Sequence, residues 1–201
     1  MPEIRTPGIR TPEILPITAL VYSDGEAADR ALRSVCSALR ERGCRLAGLV
    51  QHNRPNPGRS RCDMELEDLA SGALTGITQD RGRLARGCSL DIGQLLNAMQ
   101  ITRASLCEKP DLVILNKFGK TEAEGGGLRP LIAETIEAGL PLLVAVPWRN
   151  IEGWRHFTGE MAREYDLDAL PADELGLCAA LGLSIHPGQP RHREAHSSLS
   201  Q

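Results

Sequence analysis

The chain has 201 residues, 41% hydrophobic and 24% charged, enough apolar material for one globular domain with tails. A formal net charge of -3 with a pI near 6.0 argues against a general nucleic-acid binder, and 3% aromatic residues leave no base-stacking platform. No apolar run approaches the roughly 20 residues a membrane span needs, so a cytoplasmic protein with reduced cysteines at 36, 44, 62, 88, 107 and 178 is the expectation.

Residues 1–16, MPEIRTPGIRTPEILP, have no signal-peptide core and repeat an I-R-T-P unit, which reads as a flexible tail. Ile17 to Tyr22 reads as a first strand, ending in the turn Ser23-Asp24-Gly25. Residues 26–42 place Ala27, Ala31, Leu32, Val35 and Leu39 on one helical stripe, with Gly43 as the stop. Arg45 to Gln51 gives a second strand, and this β-α-β opening predicts a parallel sheet with a right-handed crossover.

Residues 52–62 form a Pro/Gly/Arg-rich loop. Met64–Leu69 and Ala73–Gln79 flank an Ala-Ser-Gly turn and predict a β-hairpin. A second basic loop, 80–88, leads to a helix capped near Asp91 and running to about Cys107. Leu112 to Leu115, four consecutive apolar residues, then predict a strand buried on both faces. Beyond it lie a helix carrying Leu128, Leu131, Ile132, Ile136 and Leu140 with Pro130 in its first turn, a strand from Leu142 to Val146, and a helix around 150–164. Residues 17–180 are thus expected to form one α/β domain. The polar end, 181–201, reads as a disordered tail whose histidines 186, 192 and 196 carry no assignment.

Three places gather the chemistry. At the end of the strand 112–115, Asn116, Lys117, Lys120, Glu122 and Glu124 crowd around Gly119, and Gly125-Gly126-Gly127 follow. Ligands of open α/β sheets sit beyond the carboxyl ends of strands, and two of the three lysines in the chain lie in this motif. Glu122 and Glu124 offer carboxylates for a base or for Mg²⁺, while Asn116 stands where a metal-holding Asp would be expected. The first turn, Ser23-Asp24-Gly25, is where a P-loop would sit, but it has one glycine and no lysine. An intact Walker A is therefore absent. Asn116-Lys117 also fails as a guanine motif, because Gly119 replaces the base-reading Asp. In the third place, arginines 54, 59, 61, 81, 83 and 86 flank Cys62 and Cys88 in two loops joined by the hairpin. Guanidiniums suit oxyanions and lower a neighbouring thiol pKa. Solvated arginines and buried cysteines remain the plain alternative.

The segments ALVYSDG (19–25), GLVQ (48–51), RCDMELEDLASG (61–72), ITQDRG (77–82), GCSLD (87–91), LVILNKFGKTEAEGGGLR (112–129) and AVPWRN (145–150) resemble the bacterial domain-of-unknown-function 2478 family. The layout is also similar to small P-loop nucleoside-triphosphatases, with Asn116 and Lys117 in place of the two acids of their Walker B. That resemblance implies a three-layer, mostly parallel α/β sheet, P-loop-like, with an inserted β-hairpin. It also implies a link to nucleotides and to proteins of molybdenum handling. The function expected is a binding or accessory protein for an anionic ligand, a nucleotide or an oxyanion such as molybdate. Ser23, Asp24, Gly25, Asn116, Lys117, Gly119, Lys120, Arg61, Arg81 and Arg86 are the expected contacts. Two alternatives stay open: a divergent Mg-dependent hydrolase or transferase using Glu122 or Glu124, and a thiol metal or redox site at Cys62 and Cys88.

Overall fold

The structure is a computed structural model that describes residues 17–54, 63–79 and 90–183. The two expected tails, apart from residues 181–183, lie outside the described residues. So do Arg59, Arg61, Cys62, Arg81, Arg83, Arg86 and Cys88.

Seven strands form one sheet: β1 (Ile17–Tyr22), β2 (Leu46–Arg54), β3 (Asp63–Asp68), β4 (Leu74–Gly76), β5 (Leu112–Leu115), β6 (Leu142–Pro147) and β7 (Arg163–Asp166). Their spatial order is β4-β3-β2-β5-β6-β1-β7. The run from β2 to β7 is parallel, and the β3–β4 hairpin extends it antiparallel. The helices are α1 (Gly25–Glu41), α2 (Ile92–Leu106), α3 (Lys120–Ala123), α4 (Arg129–Glu137), α5 (Ile151–Thr158) and α6 (Glu174–Ala180).

Alternate residues of each central strand feed opposite cores, as a sheet covered on both faces requires. Val113 and Leu115 join Leu95, Met99, Leu131, Ile132 and Trp154 from α2, α4 and α5. Leu112 and Ile114 join Leu32, Val35, Leu39 and Leu177 from α1 and α6. The result is a three-layer, mostly parallel α/β architecture, consistent with a P-loop-nucleoside-triphosphatase-like fold. In β2, Gly48 has φ +117, and a Cβ there would stand 2.0 Å from the Ile114 carbonyl oxygen of β5. Only glycine lets these two backbones come so close.

Some elements differ from the sequence expectation. β2 runs on to Arg54 because its polar end pairs with β3, Arg54 opposite Asp63. The expected helix over 150–164 ends at Thr158, where Gly159 closes it, and 163–166 becomes the edge strand β7. α6 was not anticipated; it packs Leu177 and Cys178 onto the α1 face. Among the described residues, no helix is long and apolar enough to cross a membrane.

Candidate functional site

From β1 the chain crosses through α1 to β2 on one side of the sheet, while from β6 it crosses through α5 to the outer strand β7 on the other. Adjacent strands whose connections leave in opposite directions open a crevice at their carboxyl ends. Tyr22, Ser23 and Asp24 stand there at the end of β1, Pro147 to Asn150 at the end of β6, and Asn116 and Lys117 at the end of β5 beside them.

The amino end of α1 is already served by its own carboxylate. Asp24 caps the helix, its Oδ1 accepting from the Glu26 N–H at 2.9 Å, and Glu26 adds a second acid to the first turn. Those are the positions where a phosphate would take backbone N–H groups and the positive end of the helix dipole. The turn also has no lysine, so it lacks the residues of an ordinary P-loop.

One turn further, Asp29 is buried and holds the strand ends together. Its Oδ1 accepts from the Asn116 amide at 3.2 Å and its Oδ2 from the Asn53 amide at 3.1 Å. Asn53 in turn accepts from the Gln51 amide at 2.7 Å. Asn116 is 3% exposed, and its Oδ1 has no hydrogen-bond partner. A buried orphan acceptor costs about 1–3 kcal/mol, so this group is poised to take a donor. Burial, reinforced by Asp29 and opposed by Arg149, pushes the Tyr22 phenol up to about 12, with Glu122 adding to the rise. Tyr22 is therefore a neutral hydroxyl at the crevice.

Lys117 follows Asn116 with φ +108, a conformation that L-residues rarely adopt and that costs on the order of 1–3 kcal/mol. Its neighbour holds it there. Phe118 is fully buried, donates its N–H to Ala145 O at 2.9 Å, accepts from the Asn150 amide at 3.3 Å, and stacks on Phe157 with Trp154 edge-on. Among the described residues Lys117 has no ion pair. Lys120 and Glu124, both exposed, pair with each other at 3.6 Å.

Glu122 is 8% exposed, and both its oxygens are engaged. Oε2 accepts from the Gly119 N–H at 2.8 Å and Oε1 from the Leu128 N–H at 2.9 Å. Gly127, at φ +59, is the only residue type that fits against it, since a Cβ would lie 2.0 Å from Oε1. The carboxylate thus ties the glycine turn shut. Each oxygen accepts one backbone N–H and keeps a further lone pair, so the turn engages the carboxylate without filling it.

Two cavities line the α1 face of the hairpin. The larger, about 580 Å³, is walled by Asp29, Arg30 and Arg33 of α1 and by His52, Asn53 and Arg54 of β2, with Glu67 of β3. The smaller, about 280 Å³, shares Arg33, His52 and Glu67 and continues along the helix to Arg40 and Cys36. Glu67 joins the walls: its Oε1 accepts from Arg40 at 2.9 Å and its Oε2 lies 2.8 Å from His52 Nε2. Burial raises its pKa, but these two hydrogen bonds outweigh that and leave it below the usual carboxylate value. Burial pushes the Cys36 thiol up to about 12, so this cysteine offers no nucleophile.

This cleft was absent from the sequence reading. Its one available signal was a polar run, Gln51-His52-Asn53, at the end of an apolar strand, with an acid, Asp29, between the buried positions of α1. Of the expected contacts, Ser23, Asp24, Gly25, Asn116, Lys117 and Gly119 gather at the strand ends. Arg61, Arg81, Arg86, Cys62 and Cys88 lie outside the described residues. The anchors of their two loops do converge. Arg54 pairs with Asp63 in the ladder, Thr78 Oγ1 accepts from Met64 N–H, and Thr78 bridges to Leu90. Among the described residues, no group of three His, Cys, Asp or Glu side chains could hold a metal ion.

Residues 17–173 match the family described as protein of unknown function (DUF2478). Over 143 residues, 71% of the chain, the sequence is 35% identical to the molybdenum import ATP-binding protein ModC 2 of Bradyrhizobium diazoefficiens. The chain spans 16% of the length of that relative. No solved structure matches it.

Proposed function

The chain belongs to this DUF2478 family, and from the geometry of its strand ends we propose that it binds an anionic ligand, a nucleotide or an oxyanion such as molybdate, without ordinary P-loop hydrolysis. Lys117 carries the reading: a lysine without a counter-ion among the described residues, held at φ +108 beside buried Asn116 at the carboxyl edge of the sheet. Strain of this kind concentrates at ligand clamps. Ser23 and Arg149, at the neighbouring strand ends, supply further donors. The Asp24 cap, which sets a carboxylate at the first turn of α1, disfavours the hydrolytic alternative. The similarity to ModC 2, a molybdenum import ATP-binding protein, supports testing molybdate and ATP first.

Equilibrium titration of the protein with ATP, GTP, phosphate and molybdate tests the proposal. At least one should bind, and Lys117→Ala should weaken it about 10- to 100-fold, the worth of one charge-assisted hydrogen bond. Absence of binding by all four, or equal binding by the variant, rejects it.

A further inference from the structure

Asp29 and Arg33 are four residues apart on α1, the spacing at which opposite charges on a helix pair. They do not pair. Asp29 turns to the strand ends to accept from Asn53 and Asn116. Arg33 is left exposed, without an ion pair or hydrogen bond among the described residues, at the point where the two cavities meet. Its neighbours in the cleft are spoken for: Arg40 by Glu67, Arg54 by Glu65, and Arg30 by Glu26 at the longer distance of 3.8 Å. Among the described residues, Arg33 is thus the cleft guanidinium free to receive an anion, and its planar fork suits a phosphate or carboxylate.

The rest of the cleft selects what the anion is attached to. A volume of about 580 Å³ lies within the range of organic-ligand sites, roughly 300–1,000 Å³, and far exceeds what a tetrahedral oxyanion fills. The walls alternate in sign, with Glu26, Asp29 and Glu67 among the arginines. Molybdate has acceptors only and would face these carboxylates with nothing to donate, and phosphate is too small to reach across to them from Arg33. A carboxylate has about four lone-pair sites, and the two asparagine amides use two of those on Asp29, so Asp29 keeps acceptor capacity. The complement of these walls is a molecule that is anionic at one end and carries hydroxyl or amino donors along its length.

We propose that the cleft between α1 and the β2–β3 hairpin binds a nucleoside monophosphate, with its phosphate on Arg33 and its sugar hydroxyls or base amino group on Asp29. This rests on the reading that the protein takes an anionic ligand, and it decides between the two ligand classes in favour of the nucleotide. The test is calorimetric titration of the full chain with the 5′-monophosphates of adenosine, guanosine, cytidine and uridine, with adenosine, inorganic phosphate and molybdate as comparators. At least one monophosphate should bind more tightly than phosphate or molybdate. Arg33→Gln should weaken it about 10-fold or more, Arg33→Lys should restore part of the loss, and binding of adenosine should not change. Because Arg33 is exposed, both variants should melt with the wild type. The proposal fails if no monophosphate binds, if phosphate or molybdate binds as tightly, or if Arg33→Gln binds like wild type. Lys117→Ala separates the two readings. Nucleotide binding lost there but intact in Arg33→Gln sinks the cleft and keeps the strand-end site; the converse sinks the strand-end site and keeps the cleft.

Discussion

Glu122→Ala removes both acceptors that close the glycine turn, Oε2 on the Gly119 N–H and Oε1 on the Leu128 N–H. A buried donor left without a partner costs about 1–3 kcal/mol, so two set an upper range of about 2–6 kcal/mol. The Leu128 bond is buried and the Gly119 bond only part-buried, so water can reach Gly119 and the expected loss is about 3 kcal/mol. Glu122→Gln keeps one acceptor but aims an amide NH₂ at the other N–H, and should fall between the wild type and the alanine variant. Glu124→Ala is the control: its side chain is 65% exposed and its ion pair with Lys120 is 3.6 Å long, so it should change stability by less than about 1 kcal/mol. Urea unfolding reads all three, as a shift of midpoint at constant slope. A Glu122→Ala protein as stable as wild type would refute the argument. So would a Glu122→Gln protein that keeps its stability but loses a Mg²⁺-dependent phosphate release, for then the carboxylate would be catalytic.

Lys117→Gly should raise stability by about 1 kcal/mol in the same unfolding assay, because glycine accepts φ +108 without strain, while weakening anion binding. Loss of stability there would mean the lysine side chain supports the fold. Gly48→Ala should destabilise by more than about 4 kcal/mol and yield little folded protein, since its Cβ would meet the Ile114 carbonyl at 2.0 Å. A soluble variant with an unchanged melting temperature would contradict that. For Glu67, whose pKa is lowered in the fold, the contribution to stability is present above the ordinary glutamate pKa and fades as pH falls through the folded value. Glu67→Gln should therefore flatten the acid limb of a stability-against-pH curve; an unaltered limb would show that Arg40 and His52 do not stabilise its charge.

What could be read from the sequence follows how much each element owes to its own residues. β5 was legible because Leu112 to Leu115 serve two cores at once, and α2 because Asp91 accepts from the Gln94 N–H at 3.0 Å as a cap should. β7 was not. Its sequence, Arg-Glu-Tyr-Asp, has no apolar alternation, and the strand exists through its backbone ladder with β1. The polar end of β2 was read as a loop for the same reason, since it is held by its ladder with β3, the first strand of the hairpin. At the strand ends the residues were visible but not their geometry. Gly119 and three further glycines follow Lys117, yet the positive φ next to Asn116 falls on the lysine, because Phe118 must reach the core behind it. The cleft depends on which way Asp29 turns, and that is decided by two asparagines 24 and 87 residues away.

The strand order carries a consequence for how the chain is made. Among the described residues, β1 pairs only with β6 and β7, Ile17 beside Leu142 and Thr18 beside Arg163. During synthesis β1 emerges on the order of ten seconds before either sheet neighbour, at ordinary elongation rates, because the stretch from α1 to α4 lies between them. The hairpin and its pairing with β2 need no such delay. The molecule is thus expected to be assembled from its hairpin side inward, with the crevice beside β1 completed last. A chain halted before residue 142 would carry an unpaired apolar strand, ALVY, as its main aggregation hazard.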